Sequence, residues 1–371
     1  MTVSSVLDPS EARDEISSVL VVGTGLIGTS VALAVRRHGV KVLLADRDPS
    51  AVRLARELGA GEEWEPGRTA DLAVIAVPPQ VVARQLLELQ KEGAARFYTD
   101  VASVKALPIA LAEELGCDMS AYVAGHPLAG REKSGPGAAR ADLFLGRPWA
   151  LCPTERTAPE ALRAALALTV LCGGNAVEVD AAAHDEAVAV ISHAPHVAAS
   201  AVAARLVDAT DTALGLAGQG VRDVTRVAGG DPALWLGILS GNARPVAAVL
   251  EAVAADLAGA ARALRALDAG EEPAGEKLTG LLSRGVTGHG RIPGKHGGPA
   301  PAYVVVQVVV GDRPGELARL FQVADGIGVN IEDVRLEHAP GLPVGAADLY
   351  VQPEAAAPLS EALRAHGWHV P

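Results

Sequence analysis

Hydrophobic and polar positions fall into three regimes along the chain. Up to about Asp180, short apolar runs that read as buried strands alternate with helical periodicity: SVLVV, then a helix ending at Gly39, KVLLADRD, DLAVIAVPP and ARFYTDVAS, with PWALCPT and NAVEVD bracketing the helix APEALRAALALTVLCGG. This alternation predicts an α/β domain on a mostly parallel sheet. From Ala181 to about Ala269 strand signals stop, and Ala/Leu/Val-rich periodicity predicts an all-helical domain. Residues Gly285–Pro301 hold nine Gly or Pro in seventeen, the breaker density of a linker. The strand AYVVVQVVV, the turn GDRPGE, a helix through Gly328, strands near VNIEDVRLE and AADLYVQ, the helix PLSEALRAHG and a last strand follow, in the βαββαβ order of a ferredoxin-like module. The expected division is a flexible tail over 1–15, the α/β domain over 16–180, the helical domain over 181–269, a linker over 270–301 and the small module over 302–371.

Composition narrows what these domains can do. Of 371 residues 49% are hydrophobic and only 3% aromatic, so the cores are built from Ala, Val and Leu, and few rings remain to stack nucleic-acid bases. Thirty-two basic against 44 acidic side chains give a net charge of -12, which disfavours nucleic acid and anionic membrane as partners and requires a local basic pocket for any anionic substrate. Cys117, Cys152 and Cys172 are odd in number and lack metal-ligand spacing, and residues 1–15 carry Asp8, Glu11, Asp14 and Glu15 where an export signal would be basic; the cytoplasm is the expected compartment. Two uncharged runs, Ile16–Val35 and Ala187–Ala204, imitate membrane spans. The first is broken by Gly23, Gly25 and Gly28 and the second by His193, Pro195 and His196, so both read as buried soluble elements.

Three clusters carry candidate chemistry. Gly23-Thr24-Gly25-Leu26-Ile27-Gly28 lies between a strand and a helix, where glycines let the backbone approach a pyrophosphate at the helix N-terminus. Asp46 closes the next strand 18 residues after Gly28, where a carboxylate can hold an adenosine ribose. Together they predict a Rossmann-type dinucleotide site that favours NAD over NADP, although Arg47 beside Asp46 leaves dual use open. The expected cofactor contacts are Gly23, Gly25, Leu26, Ile27, Gly28, Asp46 and Val77. In the second cluster, DVASVK and GHPLAGREKSGP set Ser103, His126 and Glu132 after two strand-like runs, at the sheet edge where α/β proteins hold ligands. His126 suits a general base and Ser103 a hydroxyl partner on the same substrate oxygen; a helix N-cap and a loop histidine are equally compatible with the spacing. The third cluster is SHAPH with GVRDVTRVAGGDPALW. Arg222 and Arg226, four apart, share a face if helical and can fork a carboxylate, or can pair with Asp223 and Asp231. His193 and His196 have ligand-like spacing, but nothing completes a metal set.

Taken together, GTGLIG, DVASVK, GHPLAGREKSGP, SHAPH and the segment from Arg226 to Trp235 make the chain resemble the prephenate dehydrogenase family from about Val19 onward, with a C-terminal module that looks like an ACT domain. The resemblance implies NAD-dependent oxidative decarboxylation of prephenate, with His126 and Ser103 at the substrate hydroxyl and His196, Arg222, Arg226 and Glu132 around the substrate. It also implies a homodimer formed by the helical domain. Arg131 departs from the Thr frequent in relatives. In ACT-like domains an amino-acid effector binds near the turn before the first helix, between paired modules. Here that places Asp312, Gly315 and Asn330 at the effector, with tyrosine the expected ligand.

Rival readings remain. A β-hydroxyacid dehydrogenase resembles a lysine-based mechanism, and no lysine lies between Lys133 and Lys277. Arogenate dehydrogenase differs only in the substrate side chain, and His196 leans toward prephenate. A non-catalytic sensor of NAD and amino acids is opposed by the presence of both Ser103 and His126.

Overall fold

The computed structural model describes residues 7–130, 135–271, 274–293, 303–338 and 343–371. The alternating region forms one sheet of eight strands: β1 (Ser18–Val22), β2 (Lys41–Ala45), β3 (Glu62–Glu63), β4 (Ala70–Ile75), β5 (Ala95–Asp100), β6 (Tyr122–Pro127), β7 (Pro148–Cys152) and β8 (Asn175–Glu178). Their order is β3-β2-β1-β4-β5-β6-β7-β8. Neighbours run parallel except β6 against β7. The helices are α1 (Pro9–Glu15), α2 (Leu26–Arg36), α3 (Pro49–Glu57), α4 (Pro79–Lys91), α5 (Ala106–Glu114) and α6 (Pro159–Leu171).

Alternate residues of each strand enter different cores. Val19, Val21, Leu72 and Val74 pack with Val31, Val35 and Leu168 of α2 and α6, while Leu20, Ala73 and Ile75 pack with Val82 and Leu86 of α4. Burial on both faces explains why these strands read as continuous apolar runs. Strand order turns about β1 and β4, and the crevice past the carboxyl ends at such a reversal is where an open α/β sheet takes ligands.

One expectation fails at the N-terminus. Residues 9–15 are not a flexible tail but α1, closed by a capping box in which Asp8 accepts from Ser10 and Glu11 while Glu11 reaches back to the Asp8 N–H. Ala12 and Ile16 are fully buried, and Glu15 meets Arg163 of α6 at 3.5 Å.

The helical region contains α7 (Ala181–Val188), α8 (Ala194–Ala204), α9 (Asp211–Gly215), α10 (Gln219–Thr225), α11 (Pro232–Gly241), α12 (Ala243–Asp268) and α13 (Ala274–His289). A π-helical turn, Ala189–His193, joins α7 to α8, and a 3-10 turn, Arg226–Gly229, follows α10. The run Ala181–Ala204 has the length and hydropathy of a membrane span. It nevertheless buries His184, Asp185, His193 and His196 against protein. The linker also needs correction, because α13 occupies its first half. Leu278, Leu281, Leu282 and Val286 keep helical spacing through a stretch whose glycines each cost only about 1 kcal/mol in a helix.

The chain divides within α12 into two compact units, Met1–Ala254 and Ala255–Pro371. In the second, Arg284 of α13 bonds Asp256 of α12 at 2.6 Å. Its small module comprises β9 (Val304–Gly311), α14 (Glu316–Gly326), β10 (Asp333–His338), β11 (Val344–Val351) and α15 (Pro353–Ala365). The sheet order β10-β11-β9 is antiparallel throughout. The expected last strand is reduced to a single antiparallel bridge between His369 and Val309, which completes the ferredoxin-like order at the other side of β9.

Candidate active site

The glycine loop leaves β1 at the strand-order reversal, and each glycine has its own reason. Gly23 holds φ +98°, and a Cβ there would lie 2.2 Å from the Ala76 carbonyl oxygen and 3.3 Å from Val77. At Gly28 a Cβ would stand 1.9 Å from the Gly23 oxygen. Gly25 faces open space. Two glycines therefore fold the loop onto β4 and the third leaves room for a ligand. Gly25 is also the N-cap of α2, whose first intrahelical bond runs from Thr29 N–H to the Gly25 carbonyl at 3.0 Å. The N–H groups of Leu26, Ile27 and Gly28 thus precede the helical ladder, where an anion is favoured.

Asp46, just past β2, accepts from the Thr24 N–H at 2.6 Å and from the Asp48 N–H at 2.9 Å. One bond ties the end of β2 to the loop, and the carboxylate keeps lone pairs for further donors such as ribose hydroxyls. Val77 flanks Gly23 from the end of β4. The cradle fits a dinucleotide.

His126 is on β6, and Ser103 follows β5, so both lie toward the carboxyl ends of adjacent parallel strands. His126 Nδ1 is 2.9 Å from His184 Nε2, and His184 Nδ1 is 2.8 Å from Asp185 Oδ1. The Asp185 carboxylate also accepts from the N–H groups of Lys105 and Ala106, at 2.8 and 2.9 Å, at the start of α5. Its main-chain oxygen receives Asn242 Nδ2 at 2.7 Å, and the same amide lies 3.1 Å from His193 Nδ1. Behind β6, fully buried Lys105 is ion-paired with fully buried Asp100 and donates to the Gly125 carbonyl at 2.5 Å. Asp100 further accepts from Tyr122 Oη at 2.6 Å and from the Ala102 N–H at 2.8 Å. Burial, then the Lys105 charge, then His184 and His193 hold the His126 pKa well below the ordinary imidazole value, so the ring is an unprotonated base at neutral pH. Desolvation likewise lowers His193 to about 4.

On the helical side His196 stacks on Trp235 with ring centroids 3.5 Å apart, and the edge of His193 also meets that indole at 6.2 Å. Gly230 sits under the stack; a Cβ there would fall 2.4 Å from the Trp235 Nε1. The His196 Nδ1 is buried without a hydrogen-bond partner. Arg222 and Arg226 do not share one regular α-helix: Arg222 lies in α10, and Arg226 begins the 3-10 turn because α10 ends at Thr225. Both are exposed. Glu132 and Arg131 lie outside the described residues. Among the described residues no cluster of three His, Cys, Asp or Glu could hold a metal ion.

The C-terminal candidates separate. Asp312 lines a cavity with Arg313, Glu316 and Glu337, whereas Asn330 lines another with Phe321 and Asp325. Gly315, at φ +89°, caps α14. Asp312 and Asn330 stand at opposite ends of this 11-residue helix, about 16 Å long, so one chain does not gather the three residues into one pocket. Asn330 donates to Glu332 at 2.6 Å, which leaves its side-chain oxygen available.

Sequence reasoning missed His184, Asp185 and Asn242, which the fold brings to His126 from 58 or more positions away. The adjacent His-Asp pair was visible, but no spacing rule links it to β6. Lys105 and Asp100 were inside the quoted DVASVK motif; their burial was not.

A dinucleotide cradle at a sheet reversal, joined to an unprotonated, partly buried histidine and a helical wall, defines a nicotinamide-dependent dehydrogenase of the α/β type. The nucleotide-binding-domain model of prephenate dehydrogenase matches residues 31–178, and the dimerization-domain model of the same enzyme matches residues 180–279. The chain is 43% identical over 357 residues, 95% of its length and 98% of the relative's, to the probable prephenate dehydrogenase NovF of Streptomyces niveus. The chain belongs to the prephenate dehydrogenase family. Among solved structures it is similar to A. aeolicus prephenate dehydrogenase in complex with hydroxyphenyl propionate and NAD+ (28% identity, TM-score 0.63, 73% of this chain and 98% of that one). It is also similar to Synechocystis arogenate dehydrogenase (29% identity, TM-score 0.59, 73% and 99%).

Proposed function

We propose that the chain catalyses the NAD-dependent oxidative decarboxylation of prephenate to 4-hydroxyphenylpyruvate. The observation that carries this reading is the partly buried, unprotonated His126 on the strand beside the one that leads to Ser103, next to a dinucleotide cradle. NAD, when bound, accepts the hydride from C4 of the substrate. His126 takes the C4-hydroxyl proton as that oxygen gains ketone character, and the proton returns to the phenol oxygen as CO2 leaves and the ring becomes aromatic. Ser103 holds the same oxygen. Arg226, with Arg222, orients the ring carboxylate; aromatisation drives its loss, and a tight ground-state ion pair there would slow the step. His196, braced by Trp235, borders the rest of the substrate.

Asp46 selects NAD because its carboxylate repels a 2′-phosphate. The chain acts as a homodimer: Val190, Ile191, Val207, Leu216 and Leu236 of the helical region are all more than half exposed in the single chain, an apolar surface that a second copy would cover. Free, buried Cys117, Cys152 and Cys172 suit a cytoplasmic enzyme. Tyrosine acts on the C-terminal module, its carboxylate at the Gly315 helix start and its amino group at Asn330. Because those residues lie at opposite ends of α14, the ligand is shared between two modules.

The second reading, arogenate as substrate, is favoured by the likeness to the Synechocystis enzyme. Initial rates of NADH formation with prephenate and arogenate, measured side by side, decide. Prephenate turnover with the higher kcat/KM is expected, and no turnover of prephenate overturns the proposal.

A further inference from the structure

We infer that His184 and Asp185 are positioning residues that fix His126 in its Nδ1–H tautomer and leave Nε2 as the open acceptor. The inference rests on the reading of His126 as the base. It starts from the carboxylate, which has only acceptors to offer. Asp185 Oδ1 receives the Lys105 N–H at 2.8 Å and Oδ2 the Ala106 N–H at 2.9 Å, so both oxygens are committed as acceptors by main-chain donors that cannot reverse. The contact of 2.8 Å between Oδ1 and His184 Nδ1 therefore places a proton on that nitrogen. In the neutral His184 ring Nε2 is then the acceptor facing His126 Nδ1 at 2.9 Å, which puts the second proton on His126 Nδ1. Each ring's proton is fixed by its neighbour, as in other chains where a carboxylate orients a histidine base.

The anchor is also rigid. Asp185 is buried, its main-chain oxygen is held by Asn242, and its carboxylate caps α5, the helix that follows the Ser103 loop. One residue of α7 thus sets the helix start behind Ser103 and, through His184, the face His126 presents. A π-helical turn begins four residues later, at Ala189. It brings His193 to Asn242, which closes the network from the other side.

The test compares H184L, H184Q, D185N and H126N in the full-length enzyme with prephenate and NAD, alongside 15N NMR of histidine-labelled protein, where H126N identifies the His126 signals. In the wild type His126 is expected to carry its proton on Nδ1. H184L removes the acceptor, frees the tautomer and lowers kcat about 100-fold, within the range of general-base catalysis. H184Q can accept from His126 and donate to Asp185, so it keeps the Nδ1–H tautomer and loses less than about tenfold. D185N removes the charge whichever way its amide turns and lowers kcat with an unchanged KM for NAD. A purely structural role predicts loss of thermal stability in H184L and H184Q alike, with the tautomer unmoved. A wild-type proton on Nε2, or full kcat in H184L while H126N is inactive, overturns the inference alone. Full kcat in H126N instead removes the base itself.

Discussion

The two sheets of this protein solve different problems. In the eight-stranded sheet the inner strands are buried on both faces, and Leu20, Val21, Leu72 and Val74 are sealed from water. In the three-stranded sheet burial alternates along β9: Val306, Val308 and Val310 are covered by helices, while Val305 and Val309 stay open on the other face. The difference decides where strong chemistry can reside. A doubly covered sheet supplies the dry surroundings in which the Asp100–Lys105 pair persists and His126 is kept unprotonated, whereas a half-wet sheet is suited to binding and to pairing with another surface. The catalytic demands fall on the first unit, and variants there should have the larger effects.

The largest effect is expected at His126. H126N should keep substrate affinity and lower kcat by about 10²–10⁴-fold. In the wild type the acid limb of kcat/KM should lie below the ordinary histidine value of about 6.5, because burial, Lys105, His184 and His193 all oppose protonation. A limb at or above that value, read from a pH–rate profile, would contradict the dry-site argument.

Next comes the buried ion pair. K105M leaves Asp100 charged and enclosed, which should cost about 3–5 kcal/mol of folding stability in chemical denaturation. The same change removes a positive neighbour from His126 and should move the acid limb upward. A comparable exposed pair, Arg56 with Glu63 at 3.2 Å, should yield no more than about 1 kcal/mol on truncation. Equal losses at the two pairs would erase the contrast between dry and wet surroundings.

Two binding variants are expected to be milder. R226A deletes a charge-assisted anchor, worth about 1.5–3 kcal/mol, and should raise KM for prephenate about ten- to a hundredfold with little change in kcat. D46A removes the acceptor that would hold the ribose and leaves Arg47 free to meet a 2′-phosphate, so the NAD/NADP ratio of kcat/KM should fall about tenfold. An unchanged ratio would detach Asp46 from cofactor choice.

Legibility followed the same divide between local and distant signals. The glycine loop was readable because its function depends on consecutive backbone positions, and Gly23, Gly25 and Gly28 each meet the geometric need the motif states. The βα alternation was readable because double burial writes itself as apolar runs. His184, Asp185 and Asn242 were not, since their role arises only when α7 and the α11–α12 junction are laid beside β6, and an adjacent His-Asp pair has no period or spacing to reveal it. The Asp8–Glu11 capping box of helix α1 is written in the sequence, but seven residues give too short an apolar period to set it apart from a polar tail. Helix α13 was missed because glycine density outweighed the leucine spacing inside it. The resemblance to ACT domains implies Asp312, Gly315 and Asn330 at one effector between paired modules, but the sequence does not show that the length of α14 sets Asp312 and Asn330 apart within one chain.

The smallest effect concerns the half-wet module. Tyrosine bound there must bridge Asp312 and Gly315 of one copy and Asn330 of another, because α14 holds these residues about 16 Å apart within a chain. Such a ligand gains only what assembly of two exposed cavities provides, so its coupling to the active site should sit near the lower end of the usual 1–3 kcal/mol, about a fivefold change in prephenate affinity. Titrating tyrosine into the full chain and into a truncation ending near Gly270 separates the two sites at which it could act. Inhibition of the full chain alone is expected, with N330A in the intact protein abolishing it while kcat stays the same. Equal inhibition of both forms would mean that tyrosine competes as a product-like ligand at the His126 site, and the second sheet would then have no part in regulation.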